Sequence, residues 1–249
     1  MEQPSSLSAS PQPPTLELAV PNVRPYVTYI LFGLTIFVYL LQLAGQALNF
    51  DLITFLGIKY NDFIRAGQVW RLVTPVFLHG SILHIGFNMY ALLVYGRSLE
   101  SRFGHVRFTL LYFLSAFAGN VLSFILNTQP SLGASTGIFG LVAAEATFIL
   151  QNRNMIANAG RRLVNLFYIV GINLLLGFTS TGIDNFGHLG GLLGGLAFTW
   201  FGGPRWKVEG VYPHFRLVDE REGQGAITGV SIVLLIFVPL AALGWIWPK

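Results

Sequence analysis

The stretch GASTGIFGLVAAEATFILQ, residues 133–151, decides how the rest of the chain is read. It is almost wholly apolar, carries a single acid at Glu145, and opens on small residues gathered around the hydroxyl of Ser135. As a helix it spans roughly 28 Å, close to the thickness of a bilayer's hydrocarbon core. Small residues at such a start have two readings. They can be a helix cap with close packing, or they can clear space around a nucleophile.

Composition favours the membrane. Of 249 residues, 53% are hydrophobic and only 10% are charged, against about 25% charged in soluble domains. The absence of cysteine excludes disulfide frameworks and thiolate zinc sites. A net charge of +4 could point to nucleic acid, but the basic residues are scattered between apolar runs. That scatter encodes orientation in a membrane protein, so no nucleic-acid partner is expected. Residues 1–25 are rich in Pro and Ser and lack a basic stretch leading into an apolar one. They read as a disordered cytoplasmic tail rather than a cleavable signal peptide.

Seven apolar runs are long enough to be spans: 27–48, 79–99, 106–126, 133–151, 163–178, 186–202 and 227–247. A long loop, 49–74, follows the first and carries Trp70 and Arg71. The segment 203–225 is charged and punctuated by Pro and Gly, and reads as a solvated cytoplasmic linker before a final helix within 226–249. Nothing in the chain alternates as a barrel strand would, so the spans are helical. With the N-terminus inside, eleven Lys and Arg fall on the cytoplasmic side and four outside. The expectation is an all-α, multi-pass protein with a cytoplasmic N-terminus and an external C-terminus. Short loops and the lack of large appended domains suggest a prokaryotic inner membrane.

Polar side chains inside a bilayer are costly and usually face the bundle interior. Four share one depth: His84 and Asn88 in the second span, Ser135 in the fourth and His188 in the sixth. Each lies in the first turns of a span running inward, roughly 3 to 15 Å below the external boundary. Interhelical hydrogen bonding alone could account for any one of them. His84 and Asn88, four apart, share a helix face and could donate to one oxygen. Ser135 sits where helix N–H groups lack partners and the helix dipole favours negative charge. An oxyanion forming at Ser135 would find its own N–H, Asn88 and His84 as donors. His188 could act as base, and Gly187, Gly191 and Gly195 on its face would let its helix approach Ser135 closely. Phe139 could pack on the His188 ring. Asp184, four residues earlier, reads as a cap or an orienting acid, and Glu145 as a hydrogen-bonded structural acid. His79 could shape the external loop; a metal at His79 and His84 would need further ligands that the sequence does not offer.

These segments resemble the rhomboid family of intramembrane serine proteases. LHGSILHIGFNMYALLVYG is similar to the family's second-helix signature, GASTGIFG to its serine motif, DNFGHLGGLLGG to its sixth-helix motif, and VWRLVTPVFLH to its external Trp-Arg element. The resemblance runs from about residue 27 to residue 202. It implies a six-helix core at 26–202 with one added C-terminal helix, Ser135 as nucleophile, His188 as base, and His84 and Asn88 as oxyanion residues. It implies transmembrane proteins as substrates, cut near the outer end of an unwinding helix, with no cofactor and no metal. Oligomeric state is left open. One departure stands out: Thr136 follows the serine where the family most often has Gly, which could narrow the pocket. Two other readings are a catalytically inactive rhomboid-like protein binding membrane clients, and a transporter. The first should lack the serine or the base, and the second should show internal repeats; neither feature is present in the sequence.

Overall fold

The computed structural model describes residues 22–179, 182–211 and 214–246, so the expected tail at 1–25 lies almost wholly outside them. The chain begins with α1 (Tyr26–Ala47), then two short helices, α2 (Leu52–Gly57) and α3 (Asn61–Arg65), and two 3-10 turns. α4 (Ile82–Ala91) runs through a π-helical turn (Leu92–Gly96) into α5 (Arg97–Phe103). Then come α6 (His105–Leu126), α7 (Ser135–Gln151), α8 (Ala159–Thr179) and α9 (Asn185–Gly202). A hairpin of β1 (Trp206–Val211) and β2 (His214–Asp219) precedes α10 (Gly225–Ile246). Among the described residues each apolar run overlaps a helix, although 79–81 and 133–134 precede theirs, and the protein is an integral, multi-pass, all-α membrane protein.

Among the described residues, only α1, α6, α8 and α10 are by themselves long and apolar enough to cross a membrane. α7 has 17 residues, and α4 with α5 is broken by the π turn. The shortfall is physical. α7 is buried in protein from Thr136 to Ile149 with few gaps, so its surroundings are side chains rather than lipid. α8 is the opposite case, with only Leu166 and Gly177 buried among its described residues.

Glycines set the spacing of the core. A Cβ on Gly191 would run into the carbonyl oxygen of Thr136, and one on Gly195 into that of Gly140. Gly190 and Gly194, on the adjoining face, lie against Ala118 of α6. One helix therefore packs backbone-to-backbone against two others, as small-residue ladders permit.

Two carboxylates organise the end away from Ser135. Glu100 accepts from the Val27 and Thr28 N–H groups at 2.8 and 2.7 Å, satisfying free donors at the start of α1. Glu145 is held by Arg102 of α5 and, at 2.8 Å, by Arg162 of α8. The segment expected to be a free linker differs from that expectation. Its β1–β2 hairpin is fastened to the bundle: Trp206 is buried against Phe148 with ring centroids 4.9 Å apart, its N–H donates to Asn152, and Asp219 pairs with Arg107. Alternating residues explain this, since Trp206 and Leu217 on one face reach the core while Lys207 and Arg216 face outward.

The loop at 49–74 is likewise ordered. Fully buried Arg71 donates to the carbonyls of Ile58 and Phe55 at 2.7 and 2.8 Å. Fully buried Lys59 donates to the carbonyls of Asn127 and Gln129 at 2.8 and 3.0 Å, and its backbone pairs with Ser131. Burial lowers its pKa from the ordinary 10.5 to about 8. These contacts strap the loop to the segment leading into α7.

Candidate active site

Ser135 is the first residue of α7, and the residue before it makes no side-chain cap, so the opening N–H groups face outward unclaimed by a cap. Gly133 adopts φ +135°, a conformation that side chains rarely take. A Cβ there would lie 2.8 Å from His84 Nε2 and 3.6 Å from Ser135 Oγ. Gly133 therefore gives both the backbone turn and the space between imidazole and hydroxyl. Its N–H donates to Pro75 O at 2.9 Å, which fixes the approach to the serine.

His188 lies in the first turn of α9, and its Nε2 is 2.9 Å from Ser135 Oγ. The ring stacks on Phe139, with centroids 4.1 Å apart and planes 9° from parallel. That stack limits rotation of the imidazole without a carboxylate. Among the described residues, His188 Nδ1 has no hydrogen-bond partner. Asp184 is occupied elsewhere: it caps α9 through the Gly187 N–H, and accepts from Asn127 at 3.0 Å and from the Ser123 hydroxyl. It makes no hydrogen bond to the imidazole. The cap reading of Asp184 fits this geometry, and the orienting-acid reading does not.

His84 and Asn88 project from one face of α4 into the same cavity of about 560 Å³ that holds Ser135 and His188. Neither hydrogen-bonds to Ser135. The Asn88 Nδ2 is buried and, among the described residues, has no partner. An amide donor left open beside a hydroxyl is what an incoming oxyanion would require, since burying a donor unpaired costs about 1–3 kcal/mol.

Thr136 is nearly buried, with its side chain against Gly119 of α6 and its γ-methyl close to Gly187 of α9. It both lines the cavity and fills the seam between α6 and α9. Glu145 does not line the cavity and belongs to the arginine pair described above.

Lys59 was not read from the sequence, and His79, read there only as shaping the external loop, also belongs to the site. His79 is buried beside the site, its ring edge-on to His84 at 5.0 Å, its Nε2 3.4 Å from the Ala134 N–H. Its main chain is fixed by Gln42 of α1 through a pair of hydrogen bonds at 3.0 and 3.3 Å. Lys59 and Gly133 act on the same segment; Gly133 opens the small-residue run read from the sequence, whereas Lys59 has no local pattern that marks it. Among the described residues, no group of three or more His, Cys, Asp or Glu could hold a metal ion.

A model of the Rhomboid domain matches residues 66–205. The chain is similar to rhomboid protease GluP of Bacillus subtilis, 39% identical over 70% of this chain and 34% of that protein. It is also similar to rhomboid-like protease 1 of Toxoplasma gondii, 40% identical over 59% of this chain and 52% of that protein. RHOMBOID-like protein 2 of Arabidopsis thaliana is 34% identical over 72% of this chain and 58% of that protein. The chain thus spans between about a third and three fifths of these relatives, which come from a bacterium and from eukaryotes. The matched residues 66–205 contain Ser135, His188, His84 and Asn88, and the chain belongs to the rhomboid family.

Proposed function

We propose that the protein is an intramembrane serine endopeptidase that hydrolyses peptide bonds in or near transmembrane segments of membrane-protein substrates. The observation that carries this reading is the 2.9 Å approach of His188 Nε2 to Ser135 Oγ inside the cavity shared with His84 and Asn88. That distance suits a nucleophile and its base.

His188 accepts the hydroxyl proton as Ser135 Oγ attacks the carbonyl carbon of the substrate. The oxygen takes the negative charge and receives hydrogen bonds from the Ser135 N–H, Asn88 and His84, aided by the positive end of α7. His188 then protonates the leaving amine as the peptide C–N bond breaks. Water, deprotonated by the same imidazole, attacks the acyl-serine and frees the carboxylate product. The dyad needs no third acid here: Phe139 holds the ring plane, while Asp184 holds the helix start that carries it.

Substrate must unwind, because carbonyls within an intact helix are already hydrogen-bonded and shielded. Eleven of the fifteen Lys and Arg lie on one side of the bundle in the expected topology, which favours a cytoplasmic N-terminus and a site open to the external side. The experiment is cleavage of single-span model substrates by purified protein, alongside Ser135→Ala and His188→Ala. Both variants should lose cleavage to background, and a fluorophosphonate probe should label Ser135 in the wild type only. Wild-type cleavage no faster than that of Ser135→Ala across several substrates would leave client binding as the better reading.

A further inference from the structure

α8 has a face whose chemistry the dyad does not use. Leu166, Ile169, Val170, Asn173, Leu176 and Gly177 recur at helical spacing and make one stripe. Leu166 and Gly177, at its two ends, are the only buried residues of the helix among those described. Leu166 packs with Val142 and Ile149 of α7, and Gly177 lies against Asn185 of α9. Between these anchors Val170 also packs against the Val142 and Ile149 cluster of α7, and Ile169, Val170, Asn173 and Leu176 line the cavity that holds Ser135.

An asparagine in the middle of that wall breaks an otherwise apolar stripe. It sits roughly 9 Å from the end of α8 at Thr179, at the depth of the first turns of α7 and α9. A polar side chain inside a membrane span is expensive unless it serves a partner or a function. Asn173 has one local contact, its Nδ2 donating to the Ile169 carbonyl at 2.8 Å within its own helix. That contact uses one donor. Among the described residues, a second N–H and the carbonyl oxygen have no hydrogen-bond partner, and the residue is exposed.

We propose that Asn173 is a substrate-binding residue whose carboxamide hydrogen-bonds the main chain of the unwound substrate segment beside the scissile bond. This inference rests on the protease reading of the same cavity. The physical match is direct. A peptide group drawn out of its helix presents one N–H and one C=O that lipid and the apolar walls cannot satisfy, and a carboxamide offers both complements. The remainder of the α8 wall is aliphatic, and supplies contact area without discriminating polar groups. Recognition of main chain predicts weak dependence on substrate side chains at this wall.

The test uses the full chain in proteoliposomes. Asn173→Leu, an apolar replacement of similar size, should lower kcat/KM for transmembrane substrates by about twofold to thirteenfold, the range one lost hydrogen bond supports. The loss should be equal across substrates that differ in side chains near the cut, and Asn173→Gln should recover part of it. Fluorophosphonate labelling of Ser135 and the unfolding temperature should stay at wild-type values, because neither involves a substrate backbone. Wild-type cleavage by Asn173→Leu would overturn the proposal. So would a parallel loss of probe labelling, which would make the residue structural, or a loss confined to some side chains. In the Ser135→Ala background, binding of an uncleaved transmembrane peptide should weaken severalfold when Asn173→Leu is added. Should the wild type prove inactive, that binding difference still tests Asn173, and the failure belongs to the protease reading alone.

Discussion

At the residue scale, Asn88 and Phe139 do different kinds of work around one hydroxyl. Asn88 Nδ2 has no partner in the resting site, so its hydrogen bond becomes available only when charge develops on the substrate oxygen. Removing such a donor typically costs about 10²–10³ in kcat. Asn88→Ala should therefore fall in that range with KM changed by no more than a few-fold, as steady-state kinetics on one substrate would show. A large rise in KM at constant kcat would instead make Asn88 a binding residue. Phe139 stacks on the base without touching substrate chemistry. His84 and Asn88 were legible as a pair because a four-residue spacing fixes a shared helix face. Asp184 was ambiguous for the same reason, since four residues before His188 suits both a cap and a triad acid. Only the positions of Ser123 on α6 and Asn127 just past its end separated the two.

At the element scale, α9 is held against α7 by the absence of side chains. The Cβ of Gly191→Ala would meet the Thr136 carbonyl, next to the nucleophile, and no rotamer can relieve a backbone clash. Overpacking of this kind costs about 1–3 kcal/mol. It also moves His188 away from Ser135, where about 1 Å of misplacement can cost 10²-fold. Gly191→Ala should lower the unfolding temperature and reduce cleavage tenfold or more. Gly171→Ala on α8, where a Cβ meets open space, should leave both unchanged. Equal behaviour of the two variants in a thermal melt and a cleavage assay would count against backbone contact as the determinant. The hairpin at 206–219 shows the limit of composition at this scale. Its charges and glycines suggested solvation, yet Trp206 and Leu217 reach protein across the fold.

For the whole molecule, charge placement makes a prediction that needs no enzymology. The chain has no cysteine, so single-cysteine variants carry no background reactivity. In intact cells a membrane-impermeant maleimide should label Val69→Cys in the loop after α1. It should label Lys207→Cys in the hairpin only after the membrane is opened. Both parent residues are exposed, so the contrast reports the membrane side rather than burial. The reverse pattern would invert the orientation and put the cavity on the cytoplasmic side.

What the sequence determined by itself was whatever is local or periodic. Apolar run length marked the helices, and helical spacing put His84 with Asn88 and His188 with its glycines. Tertiary structure alone decided which lone polar residues meet. Lys59 finds carbonyls 68 and 70 residues away, Gln42 fixes His79 across 37, and Asn173 faces a cavity walled mostly by other helices. None of these has a pattern in the chain, because a hydrogen bond between distant residues depends on where packed backbones bring them. The packing in turn depends on close contacts such as those of Gly191 and Gly195, whose consequence appears only once the opposing backbone is in place.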